Sequence, residues 1–190
     1  MQPTANDNGQ DNVLQNNIVH KEQSYKLIEK KRFKNGGVLS VLEPIDKQSG
    51  DYNDIITIGR LFAERGEQVQ VLGKIHFKNA AYQTYFGELI GTTYFKKCPD
   101  FKIGDKFYEY EGYEKPWNRR EINNMLSHGL KQSDCVILNN NKGASDRILR
   151  RAIMARLQLN KRIQEVWIYE KGKLRLLLKN GLFIKKQRGV

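Results

Sequence analysis

The stretch at residues 97–113, KCPDFKIGDKFYEYEGY, restricts the possible folds of this chain more than any other. Two runs rich in aromatic residues flank Gly104-Asp105, and glycine at the first central position of a two-residue loop signals a type II′ β-hairpin. That loop fixes a register. Ile103 faces Lys106, Lys102 faces Phe107, Phe101 faces Tyr108, and Asp100 falls opposite Glu109. Directly opposed Cβ atoms in an antiparallel pair lie about 5 Å apart, so two carboxylates placed there repel. Glu111 shares their face, because side chains alternate with period two, and it is the diagonal neighbour of Asp100. A divalent cation such as Mg²⁺ or Mn²⁺, which takes oxygen ligands, would relieve the repulsion, with Asp100, Glu109 and Glu111 as its ligands. The plainer alternative is an exposed sheet face on which the three acids pair with Lys97, Lys102 and Lys106.

The rest of the chain is strongly basic, and unevenly so. Of its 190 residues, those from 112 onward carry 18 basic and 6 acidic groups, whereas residues 1–111 are balanced, with 15 of each. An excess confined to one half points to a polyanionic partner, nucleic acid first and an anionic membrane surface second. No run approaches the roughly 18 apolar residues of a membrane span, and the N-terminus, MQPTANDNGQDN, has neither a basic nor an apolar signal region. A cytoplasmic protein is expected, although delivery into another cell remains compatible with this pattern. Cys98 and Cys135 stand apart and without Cys or His company, so neither a disulfide framework nor a zinc site is indicated.

Residues 1–22 are dominated by Asn, Gln and Asp and read as a disordered or loosely attached arm. Residues 23–53 read as an N-terminal extension holding one short strand around Val38 to Leu42, ending at Pro44. The main domain is expected over residues 54–190. Ile55, Ile58, Leu61 and Phe62 predict a helix capped by Asp54 and closed by Gly66. Gln68 to Leu72 alternate as a strand. Residues 77–93 are compatible with either a helical turn or a loop. Asn118 is the expected cap of a helix that buries Ile122, Met125 and Leu126, and Cys135 to Leu138 form a buried strand. Ser145 caps a last helix, reaching about Leu159, with Ile148, Ala152, Ala155 and Leu159 on its apolar face, Leu149, Ile153 and Leu157 widening it, and Arg147, Arg150, Arg151 and Arg156 over the remainder. Val166 to Tyr169 and Leu174 to Leu178 form a second hairpin. The order predicts an α/β (α+β) domain built on a mixed sheet flanked by helices.

With these elements placed, the segment from about 54 to 180 resembles a known family. Pro99-Asp100-Phe101 opening a hairpin, Glu109-Tyr110-Glu111 on its second strand, and Lys131-Gln132-Ser133-Asp134 before an apolar strand are similar to the pattern of the PD-(D/E)xK nucleases. In particular they resemble the C-terminal tRNase toxin domains of bacterial contact-dependent growth inhibition proteins of the CdiA type. The resemblance implies a restriction-endonuclease-like fold and metal-dependent hydrolysis of nucleic acid phosphodiesters, with RNA, tRNA especially, slightly favoured over DNA. It assigns catalytic roles to Asp100, Glu109, Glu111 and Gln132. One position departs from the pattern: Glu111 stands where the family has lysine. Lys102, on the Asp100 face and diagonal to Glu109, is the first choice to supply the missing ammonium, with Lys96 and Lys115 less well placed. Arg119, Arg120, Lys131, Arg147, Arg150 and Arg151 are the candidate nucleic-acid contacts. The alternative reading is an inactive nuclease fold that binds nucleic acid or an acidic protein partner, an immunity protein if the toxin analogy holds.

Overall fold

The computed structural model describes residues 25–43, 45–112, 118–159 and 162–185. The expected arm at 1–22, the strand end at Pro44, Lys115 and the tail beyond Lys185 lie outside them. The described residues form a mixed α+β fold in which nine strands lie in one sheet in chain order. These are β1 (Lys26–Arg32), β2 (Val38–Glu43), β3 (Gln68–Val71), β4 (Phe101–Ile103), β5 (Lys106–Glu111), β6 (Cys135–Asn139), β7 (Glu165–Glu170), β8 (Lys173–Lys179) and β9 (Leu182–Phe183). Four α-helices accompany them: α1 (Tyr52–Ala63), α2 (Ala80–Phe86), α3 (Arg119–Gly129) and α4 (Asp146–Leu159).

Three pairings are parallel (β2 with β3, β5 with β6, β6 with β7) and the other five are antiparallel. It follows that β2, β3, β5, β6 and β7 all point the same way. Their C-terminal ends, the start of β4 and the starts of α1, α3 and α4 meet at one end of the strands. The segment at 23–53, set apart as an extension in the sequence, supplies β1 and β2 of this same sheet, and Leu39, Val41 and Leu42 are buried in the core. A strand with two neighbours and apolar residues on both faces is part of a core, not an appendage.

The two faces are covered by different helices. On one, Leu39, Val41, Val69, Val71, Phe101, Ile103, Tyr108, Tyr110, Cys135 and Ile137 pack with Ile58 and Phe62 of α1. On the other, Val136, Leu138, Val166 and Ile168 meet Ile122, Met125 and Leu126 of α3 and Leu149 and Ile153 of α4. Further along that second face, Leu42, Leu72 and Phe107 meet Tyr82 and Phe86 of α2. The aromatic segment at 77–93 is therefore helical where it matters, with Tyr82 and Phe86 filling the core.

The register of the first hairpin is the predicted one: Phe101 pairs with Tyr108, Lys102 with Phe107 and Ile103 with Lys106. Gly104 adopts φ +59° and Asp105 is not among the positive-φ residues, as a type II′ turn requires. Asn118 caps α3 by accepting from the Glu121 N–H at 2.9 Å. Two local expectations are corrected. Helix α1 starts at Tyr52, so Asp54 lies in its first turn and its carboxylate accepts from Tyr110 Oη (2.6 Å) and Asn139 Nδ2 (2.9 Å) rather than capping. In α4 the expected Leu149, Ala152 and Ile153 are buried, whereas Ala155 and Leu159, expected on the same face, are exposed. Strand β9 was not anticipated; it follows β8 through Asn180-Gly181, both with positive φ, the signature of a type I′ hairpin.

Candidate active site

Asp100 immediately precedes β4, and the Leu72 N–H donates to its carbonyl at 2.8 Å, so the residue is gripped between β3 and β5. Its side chain is mostly buried, and Oδ2 accepts from the Tyr110 N–H at 3.0 Å. On the β5 side stand Glu109, buried, and Glu111, partly buried. On the β3 side stands a residue the sequence reading missed. Lys74, two residues beyond Leu72 and therefore on the Asp100 face, donates from Nζ to Asp100 Oδ1 at 3.4 Å and to Cys98 O at 3.2 Å.

The electrostatics follow from this crowding. Burial, and then Asp100 and Glu111, push the Glu109 carboxyl up to about 9 against the pull of Lys74. Burial and Asp100 push Glu111 up to about 8, with Asp51 adding to the effect. Asp100 is also raised by burial, against Lys74 and the Tyr110 N–H. For Lys74, desolvation works to lower the ammonium's pKa, and Asp100 and Glu109 outweigh it, so the group stays protonated above the ordinary lysine value. By surface area the Lys74 side chain is 69% accessible, so solvent screens the pair and the contact with Asp100 is worth little as a staple. Its placement matters more than its strength.

Glu109 Oε2 is buried and has no hydrogen-bond partner among the described residues. Native interiors rarely leave a carboxylate oxygen in that state, and such an orphan calls for a proton or a cation. Among the described residues, no group of three or more His, Cys, Asp and Glu is drawn together in a way that could hold a metal ion. Two carboxylates suffice for Mg²⁺, which keeps several waters and is commonly held through one or two acids together with substrate phosphate. The expected three-acid set of Asp100, Glu109 and Glu111 is thus not drawn together as metal ligands, and Asp100 and Glu109 are left as the pair that would hold such an ion, with Glu111 as an electrostatic neighbour.

The remaining candidates fall in three places. Lys102 is turned away from the acids: it is paired with Glu88 of the 3-10 turn Gly87–Leu89, and its ammonium lies 5.5 Å from the centre of the Phe107 ring. Lys96 is likewise engaged elsewhere, over the rings of Phe77 and Phe95. Arg119 of α3 and Arg147, Arg150 and Arg151 of α4 line an open cleft of about 470 Å³ that runs along α4 as far as Gln158. Arg120 is exposed on α3 but does not line that cleft.

Lys131 and Gln132 lie in the turn that enters β6, at the opposite end of the strands. Ser133 Oγ donates to Phe107 O at 2.6 Å and anchors that turn four residues before Glu111, about 13 Å along the strand. Among the described residues no hydrogen bond joins the Gln132 side chain to the acids. Lys131 instead shares a separate basic cleft of about 390 Å³ with Lys97, Arg156 and Arg162. Helix α3 still touches the site through Gly129: a Cβ there would lie 2.8 Å from Val136 Cγ1 and 3.2 Å from Glu111 Cγ, so only glycine lets the helix close over Glu111.

No family model, curated protein or solved structure matches the chain. What the site does is therefore carried by its geometry.

Proposed function

We propose that this protein is a metal-dependent endonuclease of the PD-(D/E)xK kind, acting on nucleic acid phosphodiesters, in which the lysine has moved from β5 to the segment after β3. The observation that carries the reading is the Lys74 contact to Asp100. A family site needs two acids on neighbouring strands and an ammonium beside them, and Asp100, Glu109 and Lys74 supply those groups even though Glu111 occupies the lysine's usual place.

Asp100 and Glu109 would hold Mg²⁺ or Mn²⁺, which when bound supplies charge to a phosphoryl oxygen and lowers the pKa of a coordinated water. The protein's own contributions are the following. The Tyr110 N–H fixes the orientation of Asp100. Lys74, held protonated by its acidic neighbours, donates to the attacked phosphate or its water and offsets the negative charge that develops there. Glu111, pushed up to about 8 by burial and Asp100, stays largely protonated at neutral pH and takes no part in the chemistry. Arg119, Arg147, Arg150 and Arg151 along α4, and Lys131 with Lys97, Arg156 and Arg162, offer two basic clefts for the sugar-phosphate backbone. RNA, including tRNA, is the substrate class the family resemblance carries.

The test is cleavage of a mixed RNA and DNA panel with and without Mg²⁺ or Mn²⁺. Asp100→Ala abolishes activity under this reading, and intact substrates throughout the panel with the wild-type protein would refute it. A second reading draws on the lack of a three-ligand group among the described residues. In it the basic clefts bind nucleic acid and the acids do no chemistry. It predicts salt-dependent binding without cleavage at any metal concentration.

A further inference from the structure

A cleft of about 380 Å³ opens beside Asp100 and Lys74, and the catalytic scheme above does not use it. Its walls are Ile45, Asp46, Ser49, Tyr52 and Ile55, from the loop after β2 and the first turn of α1, and Leu72 and Gly73 after β3. Lys74 and Asp100 complete the lining, so whatever enters it lies directly against the proposed reaction centre. The volume is that of a small-ligand pocket and exceeds what one planar heterocycle occupies.

The lining has the character of a site for a neutral, flat, partly polar group. Ile45, Ile55 and Leu72 offer apolar surface, and the ring of Tyr52 is only partly buried. Two carboxylates, Asp46 and Asp100, against one ammonium make the pocket a poor place for phosphate. The part of a nucleotide suited to it is the base. Asp46, an exposed residue of the lining, accepts the Gln48 N–H on Oδ1 at 2.9 Å and keeps Oδ2 as an acceptor for N–H donors. Arginines that suit the backbone line a different cleft, along α4, so base and backbone have separate places to go.

We infer that this cleft takes the base of an unpaired nucleotide next to the scissile phosphate, so that the substrate is single-stranded or looped nucleic acid rather than continuous duplex. This rests on the nuclease reading for the word scissile, but the pocket itself can be tested without cleavage. A base held in Watson–Crick pairing within a duplex stack cannot enter a side pocket, whereas an unstacked base on an aromatic ring is the usual mode of single-strand recognition.

The experiment uses the full chain in EDTA at low salt, where no metal-dependent cleavage occurs. The probes are a single-stranded RNA 12-mer with one central 2-aminopurine, its duplex, and the same strand with an abasic site at that position. Expected are quenching of 2-aminopurine on binding the single strand, about 10-fold or more tighter binding of that strand than of the duplex, and weaker binding of the abasic strand. Tyr52→Ala removes the quench and most of the preference, while Tyr52→Phe, which keeps the ring, retains both and controls for folding. Equal affinity for duplex and single strand, no binding to any probe, or a quench that persists in Tyr52→Ala overturns the inference. Quenching in EDTA together with no cleavage in Mg²⁺ or Mn²⁺ would instead sink the nuclease reading and leave the base pocket standing.

Discussion

Replacing Glu109 by glutamine removes one ionisable group from the centre of the site and keeps its shape. In the unfolded chain a glutamate titrates near 4.5; here burial first, and then Asp100, raise it to about 9. The folded protein therefore retains a proton that the unfolded chain releases across that window. Its contribution to stability is complete below about pH 4.5 and is lost progressively as the pH rises toward 9. Each pH unit inside the window is worth about 1.4 kcal/mol, so the interval from pH 5.5 to 8 amounts to about 3 kcal/mol. Shared titration with Asp100 and water entering the site bring the observable effect nearer to about 2 kcal/mol. Glu111, raised to about 8, acts in the same direction, whereas Glu165, whose pKa is lowered, changes stability only below the window.

Urea unfolding at pH 5.5, 7 and 8, with and without Mg²⁺, measures this. The wild type loses about 2 kcal/mol across the series, and Glu109→Gln flattens the slope by at least half. At pH 8, 10 mM Mg²⁺ restores about 1.4 kcal/mol to the wild type for a site with a dissociation constant of about 1 mM, and much less to the variant. A wild-type profile that is flat with pH, or a slope unchanged in Glu109→Gln, would refute the buried, mutually raised acid pair.

Other expectations can be measured alongside. Glu165→Ala leaves Tyr108 Oη, Trp167 Nε1 and Lys106 Nζ without the carboxylate that now accepts from all three at 2.8–2.9 Å, and it lowers the unfolding free energy by about 2–3 kcal/mol. Ile168→Ala, at a fully buried position under α3 and α4, costs about 2–5 kcal/mol by the same measurement. Replacing Arg147, Arg150 and Arg151 together by glutamine weakens RNA binding across sequences and reduces the slope of log affinity against log salt by about 2–3. Lys102→Ala leaves any cleavage rate within about 2-fold of wild type, since that side chain serves Glu88 and not the acids.

The acid pair was legible in the sequence because a two-residue turn carries its own register. Gly104-Asp105 fixes Phe101 against Tyr108, and Asp100 and Glu109 follow by extension. Lys74 was not legible. Its place depends on β3 pairing antiparallel with β4, Val71 against Phe101, and no turn joins those strands. The only local hint was a lysine two residues past the end of an alternating strand, too common a pattern to single out. Lys102 was misjudged for a related reason: diagonal geometry on the hairpin allowed it to reach Glu109, but Glu88, supplied by a segment whose conformation was undecided, competes for it. In α1, Asp54 has the residue type of a cap, and a partner on β5, Tyr110, took it inward. The Asn180-Gly181 turn was a readable signal, passed over because β9 is only two residues long.

The central claim is that Lys74 does the work of the lysine that Glu111 displaces. Metal-dependent cleavage of single-stranded RNA by four proteins tests it directly: wild type, Lys74→Ala, Glu111→Lys, and the double variant Lys74→Ala/Glu111→Lys. Cleavage by the wild type, a loss on the order of 100-fold in Lys74→Ala, no gain in Glu111→Lys, and recovery in the double variant are the results this account predicts. A Lys74→Ala protein as active as wild type, or a gain of activity in Glu111→Lys alone, would contradict it.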